Sequence, residues 1–179
     1  MPIMLDRNQY LVESNLALLE QGRALLTSMD DEAYANRLPL LFSNRIGAQM
    51  RHILEFYECF LDGLALAHVD YDSRRRDPQI EVSREAAIQK IESLAARLAE
   101  NQVTAEDGRL RVRMEDTPPE LSEDAFLASS VSRELQVLMS HTVHHYALIA
   151  VAMRVQGLAV EENFGVAPST LRYQQRKAA

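Results

Sequence analysis

Cysteine, glycine and proline are all scarce in this sequence of 179 residues, which contains one cysteine, six glycines and six prolines. Because Cys59 has no partner in the chain, a disulfide scaffold is excluded. The few glycines and prolines offer too few turn positions for an all-β protein, and they also exclude collagen-like and low-complexity chains. Long apolar runs are missing as well: the longest, residues 147–153, has seven residues and cannot span a bilayer. We therefore expect no association with a membrane.

Positive charge is in the minority, since 26 acidic residues against 19 Lys and Arg give a net charge of −7 at pH 7. An acidic chain repels nucleic acid unless its basic side chains are grouped into a patch. Only residues 74–76 and the last few residues are locally basic. We therefore expect no nucleic-acid partner. The first residues lack the charged and apolar regions of a secretory signal. Together with the single unpaired cysteine, this predicts a cytoplasmic location.

Apolar residues are abundant, at 47% of the chain, and they recur at the three- and four-residue spacing of amphipathic helices. This period predicts four long helices, over residues 6–28, 44–67, 83–100 and about 130–156. A short helical piece is predicted after Asp30, which is a good N-cap, and it ends near residue 37. Residues 68–82 break the helical period and contain Pro78, so we predict an extended connection there.

A small β element is predicted between the third and fourth long helices. Residues 109–115 alternate strictly between polar and apolar, which is typical of a half-buried strand, and residues 124–129 are a candidate returning strand. The pattern therefore predicts one all-α domain over residues 1–179, a four-helix bundle with a β-hairpin insertion before the last long helix. Bundles of this kind build their sites in the core, from side chains on facing helices.

Histidines are concentrated in the last long helix, where His141, His144 and His145 lie within five residues. Because positions four apart stack on one helix face, His141 and His145 can direct their imidazoles to one point. His144 is rotated by about 100° from His145 and needs a different geometry to join them. His52, on the second long helix, is a candidate third member if those two helices are neighbours. Three imidazoles suit a divalent transition metal and leave coordination positions open.

The residues alone leave other interpretations open. Histidine pairs at this spacing are common on helices that bind no metal, and a single His52 is more often a hydrogen-bonded core residue than a ligand. Cys59 lies near the face of His52 and is a candidate soft ligand, although a buried inert thiol is the commoner case.

Several segments of the chain resemble the DinB-like superfamily. The resemblance covers residues 37–175. The segments that carry it are Arg51-His52, Val69-Asp70-Tyr71-Asp72, the charged run at 74–77, Ser140-His141-Thr142-Val143-His144-His145-Tyr146, and Phe164-Gly165-Val166-Ala167-Pro168-Ser169-Thr170-Leu171. A histidine in the second helix together with a HxxxH motif in a later helix is the usual signature of this superfamily.

The resemblance implies an up-down-down-up four-helix bundle, often a homodimer, with one divalent metal (Zn, Ni, Fe or Mn) on three histidines. By position these are His52, His141 and His145. Relatives in the superfamily include bacillithiol transferases, a mycothiol-dependent maleylpyruvate isomerase and iron-binding modules of sulfoxide synthases. The resemblance supports a metal site without selecting a reaction.

Other residues are candidates for supporting roles. Glu134 lies two helical turns before His141 and can orient a ligand or act as a catalytic base, although acids are also common in the first turn of a helix. Arg51 and Tyr146 flank the candidate ligands and can bind an anionic substrate or serve structural hydrogen bonds. Residues 74–76 can meet the carboxylate of a thiol such as glutathione, although most short basic runs are solvated loop charges.

The leading functional hypothesis is a metal-dependent enzyme that activates a thiol or a water molecule. Transfer of a low-molecular-weight thiol is our first choice of reaction and hydrolysis is the second; both rest on family analogy. The alternatives are a non-catalytic metal-binding stress-response protein and a metal-free structural or interaction bundle. The expected partners are a small-molecule substrate and a second copy of the chain.

Overall fold

The computed structural model describes residues 7–38, 45–100, 108–114 and 126–178. Within these ranges the chain is mostly helical, as predicted, and it also forms a small sheet. The α-helices are α1 (Arg7–Ser28), α2 (Asp31–Ala35), α3 (Ile46–Leu64), α4 (Pro78–Val82), α5 (Arg84–Glu100), α6 (Val131–Val155) and α7 (Pro168–Ala178). The strands are β1 (His68–Asp70), β2 (Arg109–Arg113) and β3 (Leu127–Ser130).

Side-chain caps set where three of these helices begin. Asp30 accepts a hydrogen bond from the Ala33 amide at 2.8 Å before α2, and Ser83 accepts one from the Ala86 amide at 3.2 Å before α5. Ser130 caps α6 by accepting a hydrogen bond from the Arg133 amide. Such caps satisfy backbone donors that have no partner within the helix. The helix starts predicted at these residues are therefore confirmed.

The four long helices α1, α3, α5 and α6 enclose the core. Helix α1 packs against α5 and α6, and α3 packs against the same two helices. The interior is apolar and includes several large side chains that are fully buried. Among these are Leu19, Leu26, Met50, Ile53, Leu54, Phe60 and Leu135. The packing of α3 on α6 is the contact that positions the candidate site.

The small sheet contains one strand more than the sequence predicted. Strands β2 and β3 form the predicted antiparallel pair, while β1 adds to β2 in parallel, with His68 opposite Arg111. The three residues of β1 are too few to show an alternating pattern, so it was predicted only as part of an extended connection. The first residues of the predicted returning strand, 124–125, lie outside the described residues.

The rest of the predicted extended connection is also more ordered than expected. Tyr71–Ser73 forms a 3-10 turn, and α4 begins at Pro78, with Asp77 accepting from the Gln79 amide. Proline is tolerated in the first turn of a helix, where its missing N–H has no partner to lose. The prediction of an extended connection over residues 68–82 is therefore wrong at Pro78–Val82, where the chain forms a short helix.

The C-terminal region packs on the core before its last helix. Phe164 is buried and stacks on Tyr146 with ring centroids 4.6 Å apart, while the side chains of α7 are mostly exposed. None of the helices among the described residues is long and apolar enough to cross a membrane.

Candidate metal centre

Three histidines converge where α3 packs on α6. His52 lies on α3, and His141 and His145 lie one turn apart on α6, so the helix-face argument from their spacing holds. The ring centroids of the three imidazoles are 4.4 to 4.8 Å apart, and their candidate ligand atoms all lie within 4.8 Å of one another. His144 is exposed and meets His145 only edge-on, at 5.1 Å. The structure therefore brings the three predicted histidines together and leaves His144 at the surface.

The nitrogens of these rings face one another at short distances. The Nε2 atoms of His52 and His141 face each other at 3.0 Å, and His141 Nδ1 is buried without a hydrogen-bond partner. Zinc binds imidazole nitrogen at about 2.0–2.1 Å, so two nitrogens on one ion lie about 3 to 4 Å apart. The separations in the cluster are close to this range, and three nitrogen donors therefore fit a divalent ion.

Gln49 fixes the orientation of the third ring. Its Oε1 lies 2.6 Å from His145 Nδ1, and because a carbonyl oxygen only accepts, Nδ1 carries the proton. The Nε2 atom of His145 is then unprotonated and has a lone pair for a metal. Metal-binding histidines commonly donate their other ring N–H to an oxygen in this way. Gln49 lies three residues before His52 on α3, so it faces the same side of that helix.

All three imidazoles are neutral at physiological pH. Burial is the main cause of a lowered pKa in each: to about 4 for His52, about 3 for His141 and about 4 for His145. Neighbouring histidines and the positive charge of Arg74 lower these pKa values further. A metal binds only the neutral form of imidazole, so protons do not compete for the site at pH 7.

Two aromatic rings and a guanidinium form the wall behind the histidines. Phe56 stacks on His141 with centroids 3.9 Å apart, and Tyr71 stacks on Phe56 at 4.8 Å. The guanidinium carbon of Arg74 lies 4.8 Å from the centre of the Phe56 ring. Phe56 follows His52 by one turn of α3, so its position could have been inferred from spacing. Tyr71 and Arg74 lie in a non-periodic connection, which gave no such signal.

Glu134 lies behind this wall, with both carboxylate oxygens engaged. It is buried and accepts hydrogen bonds from the Tyr71 hydroxyl at 2.9 Å and from the Ser129 hydroxyl. Glu134 is therefore connected to the histidines through Tyr71 and Phe56. Its role as a base stays a prediction.

The two residues predicted to bind substrate are occupied by other contacts. The Nη1 atom of Arg51 lies 3.2 and 3.3 Å from the carboxylate oxygens of Glu55, and its Nε lies 3.4 Å from Glu81. Tyr146 is buried in the core and donates its hydroxyl to the Leu18 carbonyl at 2.7 Å. Binding of substrate by either residue stays a prediction.

Cys59 is half-buried, and within the described residues the cluster of close ligand atoms consists of the three histidines alone. Burial raises the pKa of the Cys59 thiol to about 11. The thiol is therefore protonated at pH 7 and is a poor ligand in this state.

The chain matches a family model and is similar to a known protein. A sequence model of the DinB family matches residues 4–167, which includes α1 and ends before α7. The chain is also similar to FK506-binding protein 5 of Rhizopus delemar, with 33% identity over 105 residues. That alignment covers 59% of this chain but only 27% of the fungal protein. No solved structure matches the chain.

Proposed function

The chain belongs to the DinB family, and on that premise we propose that it is a metal-dependent enzyme whose ion is held by His52, His141 and His145. One observation carries the proposal: three neutral imidazoles from two helices converge, with their candidate ligand atoms all within 4.8 Å of one another. Polar nitrogens that face one another in a half-buried site are stabilised when a ligand binds them. A divalent ion is the ligand that three nitrogen donors fit, with Zn, Ni, Fe and Mn as the candidates.

The residues of the chain have separate tasks in this proposal. When bound, the ion supplies a positive charge that lowers the pKa of a thiol or water molecule beside it. Gln49 holds the proton of His145 on Nδ1, which leaves Nε2 free. Phe56 covers one side of His141 and limits the entry of water there. The contact of Tyr71 with Glu134 holds the wall in place behind Phe56.

The reaction we propose first is transfer of a low-molecular-weight thiol, and hydrolysis is the second choice. Both come from the family resemblance, because the described contacts select no reaction. The proposal further includes a cytoplasmic location, where such thiols are kept reduced. It also includes an up-down-down-up bundle and a homodimer. The packing of α1 and α3 each against α5 and α6 supports the bundle.

A second candidate, a metal-binding protein without catalytic turnover, is favoured by one observation. The predicted base Glu134 has both oxygens occupied by hydroxyl donors and is separated from the histidines by Tyr71 and Phe56. No acidic side chain of the described residues joins the cluster of ligand atoms. This candidate has the same metal site and differs only in the absence of a reaction.

Metal content tests the site itself. Protein purified without a histidine tag is analysed for metals beside a His141→Ala, His145→Ala double variant. We expect nearly one equivalent of a divalent metal in the native protein and little in the variant. His144→Ala is the matched control, because it removes an exposed imidazole from the same helix and should retain the metal. A folded native protein that takes up no divalent ion contradicts the proposal.

Thiol consumption then separates the two candidates. Apo- and metal-loaded protein are compared for conjugation of small thiols to a soluble electrophile. The enzyme hypothesis predicts turnover that depends on the metal and is lost in the double variant. Full metal occupancy without turnover of thiols or of hydrolysable esters supports the non-catalytic candidate.

A further inference from the structure

Arg74 differs from Arg51 and Arg113 in forming no ion pair with any of the described residues. Its Nη1 atom is shielded from solvent and makes no hydrogen bond. By contrast, Arg51 contacts Glu55 and Glu81, and Arg113 binds Asp70 at 2.7 Å. No ion pair among the described residues includes Arg74. A buried charged donor without an acceptor is costly, which is why such groups are normally paired.

The unpaired guanidinium lies beside the histidine cluster. Its central carbon is 4.8 Å from the centre of the Phe56 ring, and that ring stacks directly on His141. Arg74 directly follows the 3-10 turn that ends at Ser73, so its backbone is fixed next to Tyr71, which also stacks on Phe56. Its charge is close enough to disfavour protonation of all three histidines.

The next two arginines do not share this environment. The side chain of Arg75 is 74% exposed and lies 3.8 Å from Glu58 and 4.0 Å from Asp62. Arg76 is exposed as well. The basic run at 74–76 is therefore divided, with one arginine at the site and two at the surface. This division provides matched control variants in the same segment.

An anionic ligand needs such a local charge in this protein. The net charge of −7 repels anions at long range, so a negatively charged substrate gains little from the protein as a whole. A guanidinium offers two parallel N–H donors to a carboxylate, and such charge-assisted bonds are about twice as strong as neutral ones. A free donor beside a metal-binding cluster is suited to hold one end of a small molecule while the other end reaches the ion.

We propose that Arg74 binds the carboxylate of the substrate, so that the substrate class is a small thiol that carries a carboxylate. This inference rests on the proposed function, since the thiol end would be the end that meets the ion. Arg74 is the substrate-binding arginine of the site, whereas Arg51 is committed to Glu55 and Glu81. The anion supplies an acceptor to the half-buried guanidinium of Arg74.

The test compares two thiols of similar size, 3-mercaptopropionate and 2-mercaptoethanol, only the first of which has a carboxylate. Their binding to the cobalt-loaded protein is followed by the visible spectrum of the ion. We expect the native protein to bind 3-mercaptopropionate about tenfold more tightly than 2-mercaptoethanol, which is the effect of one charge-assisted hydrogen bond. Arg74→Gln should lose this preference, Arg74→Lys should retain part of it, and Arg75→Gln should retain all of it.

A second measurement keeps the inference separate from the metal hypothesis. Apoprotein is titrated with propionate while the side-chain N–H signals of arginine are followed by NMR. The native protein and Arg75→Gln should show one saturable shift that is absent in Arg74→Gln. If the protein binds no metal, the proposed function fails and this titration still decides the role of Arg74. No saturable shift in the native protein, or an unchanged thiol preference in folded Arg74→Gln, overturns the inference.

Discussion

Two polar clusters lie side by side between α3 and α6. We call one of them closed, because its side chains are hydrogen-bonded to one another, and the other open. The closed cluster joins Asn15, Tyr57 and Thr142, all fully buried. The Tyr57 hydroxyl donates to Asn15 Oδ1 at 2.8 Å, and the Thr142 hydroxyl donates to Tyr57 at 3.2 Å. The Asn15 amide donates to two backbone carbonyls, at 2.8 and 3.0 Å. This cluster ties α1 to α3 and α6.

The open cluster is one residue away on each helix. Phe56 precedes Tyr57, and His141 precedes Thr142, yet the histidines are partly exposed. Here His141 Nδ1 and Arg74 Nη1 are buried without partners. Adjacent helix positions point about 100° apart, so one turn of helix can build the core with one residue and a site with its neighbour. The comparison assigns the closed cluster to the stability of the fold, and it agrees with our proposal that the open cluster binds a ligand.

Removal of His52 should have the largest effect, and the effect should fall on metal binding. His52→Ala removes one of three ligands and should weaken divalent-metal affinity by about a hundredfold or more, since each ligand adds strongly to such a site. Competition with a chromophoric chelator measures this. His68→Ala is the control, because His68 is an exposed histidine on β1. Equal metal affinity in the two variants would show that His52 is not a metal ligand.

Removal of Asn15 should have the next largest effect, on folding rather than on metal. Asn15→Leu leaves the Tyr57 hydroxyl without its acceptor and removes the second, side-chain donor of two helix carbonyls. The free energy of unfolding should fall by about 1–3 kcal/mol, as measured in urea.

Ser14→Ala, at the partly exposed neighbouring position, serves as the control and should change stability little. Metal affinity of the folded Asn15→Leu protein should match that of the native protein. A loss of metal in this variant would mean that the two clusters are coupled, and the division of roles would be wrong.

Removal of Gln49 should have the smallest effect. Gln49→Met keeps the volume of the side chain but removes the acceptor for His145 Nδ1. We expect metal affinity to fall by about tenfold, because the ring loses the group that sets its orientation and tautomer. In the absence of metal, the free energy of unfolding should change less in Gln49→Met than in Asn15→Leu. An unchanged affinity would show that His145 is positioned by packing alone.

The sequence allowed the histidine cluster to be predicted because the spacing of residues on a helix sets the direction of their side chains. The pair His141 and His145 follows from a four-residue interval, whereas His52 was a candidate only if the two helices were neighbours, which the family resemblance supported. Gln49 and Phe56 share the helix face of His52, and the same spacing argument could have assigned them to the site.

Other features depended on contacts that no local period encodes. Tyr71 and Arg74 reach the site from a connection predicted as extended, and β1 pairs with β2 across some forty residues of sequence. The position of Glu134 on the stripe of His141 was apparent from spacing. Its engagement by Tyr71 and Ser129 was not, because both partners lie outside α6.

The most direct test of the central claim is a cobalt titration of the apoprotein, followed by the visible spectrum. Three nitrogen ligands predict saturation at one equivalent of Co²⁺, with d–d bands that are absent in folded His141→Ala and retained in His144→Ala. Absence of these bands in the native protein, or their persistence in His141→Ala, would contradict the claim that the open cluster is a metal site.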